Sequence, residues 1–522
     1  MINKDILFNL VHSMSRAEKK YFSRLLKAEG RRGKKQVFAE MFRKIDLQKV
    51  YNEEKVYRRL QETGLTKHPA ARKHYLFMRI LGALNMYYAD KRDEYRLGDL
   101  LNTVRTLISR RINAPCFRLI REAKKIAGEK EWFPQYLEAM DLEYRVRLNT
   151  NRTGAEEMEK YHEEGRKVTG QWTDLQQYRL LETKISSLYN RIFYARSAEE
   201  TKAYRQVMEH PQLGAEARPL SFNARLIYYR IQAIYSHGTG DTASGFRWAK
   251  KQVELFETDP QKIANREFYY CRALYSMLII CINYPILEEF ENVMRKIRAV
   301  SSGFPVQDPE SGLIRNYSIR SVIIEFDFYS ANGFFEKCIL LAPEAQKILI
   351  EKDTILTRND KEIIHFSVAY AYFGTGAFSE ALKWINRALN ELILSETAES
   401  SFRMLDMMIH FEIGNFDLLE SSVRSAYRFL FRRQKLYPVE SILLKFLRST
   451  ALKITDPRDI YPRLPVLKQE MEGSLQSSPG EEDRLQIDFI PWLDAKITGR
   501  PFAEIVREAG RMKTAKSKQE GI

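Results

Sequence analysis

Cysteine, glycine, proline and long apolar runs are all scarce in this chain, and each shortage removes a class of protein. Only four of the 522 residues are cysteines (Cys116, Cys271, Cys281 and Cys338). None stands in CxxC spacing, which argues against a disulfide framework or a zinc site and points to a reducing cytoplasm. With 24 Gly and 17 Pro beside 44% apolar residues, the chain is expected to fold almost throughout. The longest strongly apolar run, Met277 to Ile282, has six residues where a spanning helix takes roughly 20, so no membrane-integral segment is expected. The first residues, with Lys4 and Asp5, lack the apolar centre of a secretory signal.

Chemistry-bearing motifs are equally scarce. The eight histidines form no HxxxH or HxxE pair that would put two ligands on one helical face, and no GxSxG is present. The glycines of HGTGDTASGF superficially resemble a phosphate loop, but Phe246 and Arg247 stand where Lys-Ser or Lys-Thr should follow, and no strand pattern precedes them. Carboxylate pairs such as Glu156-Glu157, Glu163-Glu164 and Glu288-Glu289 read as solvated helix faces. No enzyme activity, metal or small-molecule cofactor is expected.

Charge, by contrast, is plentiful and uneven. Of a formal net +16, residues 1–120 carry +15, with 27 Lys and Arg against 12 Asp and Glu; the rest is nearly neutral. Such a split gives the N-terminal quarter a potential that attracts acidic partners. Arg31, Arg32, Lys34 and Lys35 fall in an expected loop, followed by Arg43, Lys44, Arg58, Arg59, Arg72 and Lys73, with Tyr51, Tyr57 and Tyr75 nearby. Basic groups interleaved with rings suit either phosphates and bases or an acidic protein. Helices over 53–62 and 70–81, joined by GLTKHP, have a helix-turn-helix outline. Further back, Ser15 and Glu18 hold capping-box spacing and start a helix.

Helix pairs dominate the remainder. Residues 362–392 read as two antiparallel helices in which Ala369, Ala381 and Ala388 permit close approach, Tyr372, Phe378 and Ile385 fill the seam, and Gly374 and Gly376 open the turn. Gly414, Phe416 and Ala426 repeat Gly376, Phe378 and Ala388 in a second copy. On these residues the stretch 362–430 resembles a tetratricopeptide repeat, although Ile393 replaces the family's closing proline and Leu419 a small residue. The resemblance implies an all-α fold, an α-solenoid whose first helices line a concave face. There Ile363, Phe366, Tyr370, Phe373, Met404, Met408 and Phe411 would receive a partner helix or peptide. The same pattern also fits residues that are simply core.

The expected organisation is a basic helical region over 1–114, an irregular solenoid over 115–455 beginning at Pro115, and capping helices over 456–522. Within the solenoid, YHEEGRKVTGQW and LQQYRLLETKISSLYNRIF are read as separate helices. The expected function is a cytoplasmic adaptor or scaffold for a protein or peptide. The alternative is a regulatory protein whose N-terminal region binds DNA or RNA.

Overall fold

The capping box at Ser15 and Glu18 forms as its spacing predicts: the Glu18 N–H donates to the Ser15 hydroxyl at 3.1 Å, and the Glu18 carboxylate accepts from the Ser15 N–H. Two of the helix's orphan donors are thereby satisfied. The structure, a computed structural model, describes residues 6–28, 34–48, 51–52, 69–89, 91–151, 154–192, 195, 197–214, 216–263, 266–302, 309–351, 356–432, 438–453, 460–477 and 487–520. Among the described residues every α-helix or 3-10 turn is accompanied by no strand, so the chain is all-α. No helix among them is long and apolar enough to cross a membrane.

The chain divides into two compact units, one of Met1–Leu180 with Arg218–Arg225 and Phe304–Ser311, the other of Leu181–Ala217, Leu226–Gly303 and Gly312–Ile522. In the first unit, α1 (Ile6–Ser13), α2 (Arg16–Ala28), α3 (Lys34–Asp46) and α4 (Pro69–Tyr88) enclose Leu7, Val11, Phe22, Met41, Ile45, Leu76 and Ile80. Next, α5 (Asp93–Ser109), α6 (Cys116–Lys130) and α7 (Phe133–Asn149) enclose Leu97, Leu101, Val104, Cys116, Ile120, Leu142 and Val146. This second core runs straight across Pro115. Pro115 is the N-cap of α6, a place where its missing N–H costs little.

The two helices expected over 161–193 are one, α8 (Ala155–Ile192), of 38 residues. Gly165 and Gly170 lie inside it, and a helical glycine costs only about 1 kcal/mol relative to alanine. A buried stripe of Val168, Leu175, Tyr178, Leu181, Ile185 and Leu188 at helical spacing outweighs that.

In the second unit, α9 (Ala198–Met208) precedes a series of antiparallel pairs. These are α10 (Phe222–Gly238) with α11 (Thr242–Glu257), α12 (Glu267–Asn283) with α13 (Leu287–Ser302), and α14 (Pro309–Ala331) with α15 (Phe335–Leu340) and α16 (Ala342–Glu351). Then come α17 (Arg358–Gly374) with α18 (Phe378–Glu391), and α19 (Glu396–Glu412) with α20 (Phe416–Arg432). Three successive pairs close by the same turn. The N–H groups of Phe334, Ala377 and Asn415 donate back five residues, to Tyr329, Tyr372 and His410 carbonyls at 2.8, 2.9 and 3.0 Å. Gly333, Gly376 and Gly414 sit in each turn at φ +71, +77 and +70°, a left-handed position open to glycine.

Gly374 has a different task from the turn-opening one expected of it. It ends α17, and a Cβ built there would fall 2.2 Å from the Phe335 ring. Gly374→Ala is accordingly expected to destabilise the second unit by about 1–3 kcal/mol. Gly98→Ala, where a Cβ meets nothing within 4 Å, should be neutral or slightly stabilising. Urea midpoints of the two variants check this.

The last helices, α21 (Pro438–Lys453), α22 (Leu464–Ser477), α23 (Phe489–Thr498) and α24 (Phe502–Glu520), follow one another in contact. They do more than cap an end, because the chain then turns back over earlier pairs. Trp492 packs edge-on against Phe411 at 5.5 Å, and its Nε1 donates to Glu412 at 2.7 Å. Phe502 stacks on Phe335 at 5.6 Å and lies 6.0 and 5.7 Å from the Tyr370 and Phe373 rings. Ala503 passes over Gly333, Gly510 lies beside Asn332, and α24 also touches α11.

One charged pair in this unit makes stability depend on pH. Glu325 of α14 is almost fully buried and accepts from Arg298 of α13 at 2.5 Å. Burial pushes its carboxyl up to about 7, against the opposing pull of Arg298. Between about 4.5 and 7 the folded chain holds a proton that the unfolded chain has released. The contribution is therefore complete below about 4.5 and is lost as pH rises through about 7. Glu325→Gln is expected to gain stability relative to the parent, by roughly 1–3 kcal/mol, between pH 5 and pH 8, as read from urea midpoints across that range.

Candidate functional site

Charged residues rarely sit within apolar helix faces unless something meets them. The first helices α10, α12 and α14 each carry an arginine among tyrosines and aliphatics: Arg230, Arg272 and Arg320. Arg230 and Arg272 meet at Glu182 of α8, and Arg320 reaches the Tyr275 hydroxyl. Arg230 Nη1 and Arg272 Nη2 approach the same Glu182 oxygen at 3.2 and 3.4 Å, and the side chains of Arg230, Arg272 and Glu182 are at most 22% exposed. Arg320 hydrogen-bonds Tyr275 and holds its hydroxyl back against the upward push of burial.

The cluster is short of negative charge. Two guanidiniums share one carboxylate, and Arg320 has no carboxylate partner among the described residues. Glu182 Oε1 and Arg230 Nε and Nη1 are buried without a hydrogen bond of proper geometry. Burial first, and then the like charge of Arg272, pull the Arg230 guanidinium below its ordinary range; Glu182 and Tyr317 pull the other way. Asp360 reaches Tyr275 with its field, but its carboxylate is committed to the Thr357 N–H at 2.8 Å in the capping box of α17.

Rings surround these charges. Tyr317 lies 5.2 Å from Tyr275 and 5.7 Å from Phe268, and the Arg272 guanidinium stands 5.6 Å over the exposed Tyr269 ring. Aromatic walls of this kind exclude water and strengthen what the guanidiniums do. Chemically, the arrangement suits a planar anion. Among the described residues no group of three or more His, Cys, Asp or Glu is placed to hold a metal.

The concave-face residues read from sequence have a different setting. Phe366, Tyr370, Phe373, Met404 and Met408 are buried, Met408 completely, while Ile363 and Phe411 are half-buried. Phe366 stacks on Tyr370 at 5.9 Å and meets Phe402 edge-on at 5.5 Å. Phe502 and Trp492 cover Tyr370, Phe373 and Phe411. These residues pack with rings of the chain's own C-terminal helices.

Of the basic N-terminal residues, Arg31, Arg32, Arg58 and Arg59 lie outside the described residues, as does the first helix of the expected helix-turn-helix. Lys34 and Lys35 begin α3. Arg43 is exposed, and Lys44, Arg72 and Lys73 are half-buried, with Lys73 Nζ 5.3 Å from the Tyr51 ring centre.

Sequence reading missed Glu182, Arg230, Arg272 and Arg320 altogether. A usable signal exists: a single arginine recurs inside LIYYRIQAIY, YYCRALYSMLII and NYSIRSVII, three stretches otherwise dominated by apolar and tyrosine residues. No family model, curated protein or solved structure matches the chain.

Proposed function

We propose that the second unit is an α-solenoid of tetratricopeptide-like helix pairs, and that the chain is a non-catalytic cytoplasmic scaffold holding a protein or peptide partner against its first helices. The observation that carries this reading is the recurrence of one turn, with a left-handed glycine and the same five-residue backbone closure, at Gly333, Gly376 and Gly414. A repeated turn with packing between neighbouring pairs is how thin helix pairs bury faces that none could bury alone. The resemblance of residues 362–430 to a tetratricopeptide repeat supports the same reading. Because the aromatic face near Tyr370 is covered by Phe502, a partner would meet these helices at the exposed Tyr269, beside the half-buried Tyr275 and Tyr317. Four free, buried cysteines suit a reducing compartment.

A photo-crosslinker at the exposed Tyr269, compared with one at the exposed Ile350 of α16, tests the reading in cells. Crosslinking of one protein partner at position 269 and not at 350 is expected. Equal yields at both positions, or none at 269, contradict it.

The second reading, nucleic-acid binding by the N-terminal region, is favoured by the +15 carried by residues 1–120. If it holds, the full chain binds mixed RNA or DNA with log K falling steeply against log salt, and reversing Arg43 and Lys44 to Glu flattens the slope. A slope near zero in the parent protein removes it.

A further inference from the structure

We propose that Arg230, Arg272 and Arg320, with Glu182 between the first two, form a recognition site for the carboxylate of an Asp or Glu side chain in an extended acidic peptide. The inference rests on the scaffold reading and narrows it to a partner chemistry. Three observations converge. The site holds an excess of positive charge, since one carboxylate serves two guanidiniums and Arg320 has none among the described residues. It has unused hydrogen-bonding capacity, since Arg230 Nε is buried without a hydrogen bond and Nη1 meets Glu182 at 3.2 Å without hydrogen-bond geometry. It is walled by rings, with Tyr317 5.2 Å from Tyr275 and Arg272 over the exposed Tyr269.

A guanidinium presents its donors as a planar fork that a carboxylate matches with two parallel bonds, and the low exposure of this cluster makes such bonds stronger than at an open surface. A bound carboxylate supplies the missing acceptor for Arg230 and the missing counter-charge for Arg320. Tyrosine rings on either side suit the flat backbone and apolar stems of an extended peptide. Glu182 opposes the ligand: it holds the two arginines in place and repels an incoming anion.

That opposition makes the proposal separable from a merely structural role. The probe is a fluorescein-labelled peptide alternating Glu with Gly, amidated at its C-terminus, titrated against the full chain by anisotropy. Arg272→Gln and Arg320→Gln are each expected to weaken binding about tenfold or more. Glu182→Gln is expected to tighten it several-fold although it loosens the fold, because the site gains a net positive charge. Circular dichroism and urea midpoints confirm that each variant is folded at the titration temperature. A neutral peptide with a free C-terminus, inorganic phosphate, and an RNA oligonucleotide of equal charge complete the set. Stronger binding of any of these at the same arginines overturns the assignment to acidic side chains. Weaker binding in Glu182→Gln, or unchanged binding in both arginine variants, overturns the site. A partner crosslinked at Tyr269 whose capture ignores all three substitutions leaves the scaffold reading standing and this one refuted.

Discussion

Trp492→Ala is expected to lower the stability of the second unit by about 3–5 kcal/mol, the usual cost of emptying a buried aromatic site. Trp492 is 2% exposed, its ring meets Phe411 edge-on, and its Nε1 is the donor to Glu412 at 2.7 Å. The same Glu412 carboxylate also takes the Lys496 ammonium. Loss of the indole thus opens a cavity, removes one hydrogen bond to a charged acceptor and loosens the fastening of α23. Trp492→Phe keeps most of the packing and loses only the donor, so about 1–2 kcal/mol is expected. Urea unfolding followed by far-ultraviolet circular dichroism reads both. A change under 1 kcal/mol in Trp492→Ala means that the C-terminal helices do not close the face that Phe411 begins.

Glu182→Ala is the second large effect, again about 3–5 kcal/mol, because it strands two guanidiniums that are 18 and 22% exposed. The cause is desolvated charge without a partner rather than lost attraction, so removing the charges together should recover much of the loss. Glu182→Met combined with Arg230→Met and Arg272→Met is expected to unfold within about 1–2 kcal/mol of the parent. If Glu182→Ala alone is nearly neutral, the arginines swing to water and the cluster is not a fixed feature of the unit. An acidic peptide that binds the folded site should also raise the midpoint of Glu182→Ala more than that of the parent.

How much of this was legible in the sequence differs from element to element. Helix pairs with punctuating glycines are legible because the signal is local: Gly376 and Gly414 stand in their left-handed turns, and Ala369, Ala381 and Ala388 are fully buried between close helices. Continuity through Gly165 and Gly170 is not, since the stripe that carries α8 over them draws its stability from tertiary burial. The coverage of an apolar face is harder still. Phe366, Tyr370, Phe373, Met404 and Met408 present the same periodicity whether a partner or the chain itself covers them, and Trp492 lies 80 residues beyond the Glu412 it bonds.

The arginine site escaped notice for a related reason. Arg230, Arg272 and Arg320 lie in different helices, and each alone reads as one cation within an apolar stretch. Only the tertiary fold brings Arg230 and Arg272 to one Glu182 oxygen and reveals that one carboxylate must serve both. The basic N-terminal region shows the converse. Its charge is obvious from composition, yet composition says nothing of which basic groups share a face, and four of its named arginines lie outside the described residues.

Hydrogen exchange on the full chain, with and without the amidated acidic peptide, tests the central claim most directly. Added protection confined to 222–238, 267–283 and 309–331, the three helices that supply Arg230, Arg272 and Arg320, is the predicted result. Protection confined to residues 1–120, or none anywhere at saturating peptide, contradicts it.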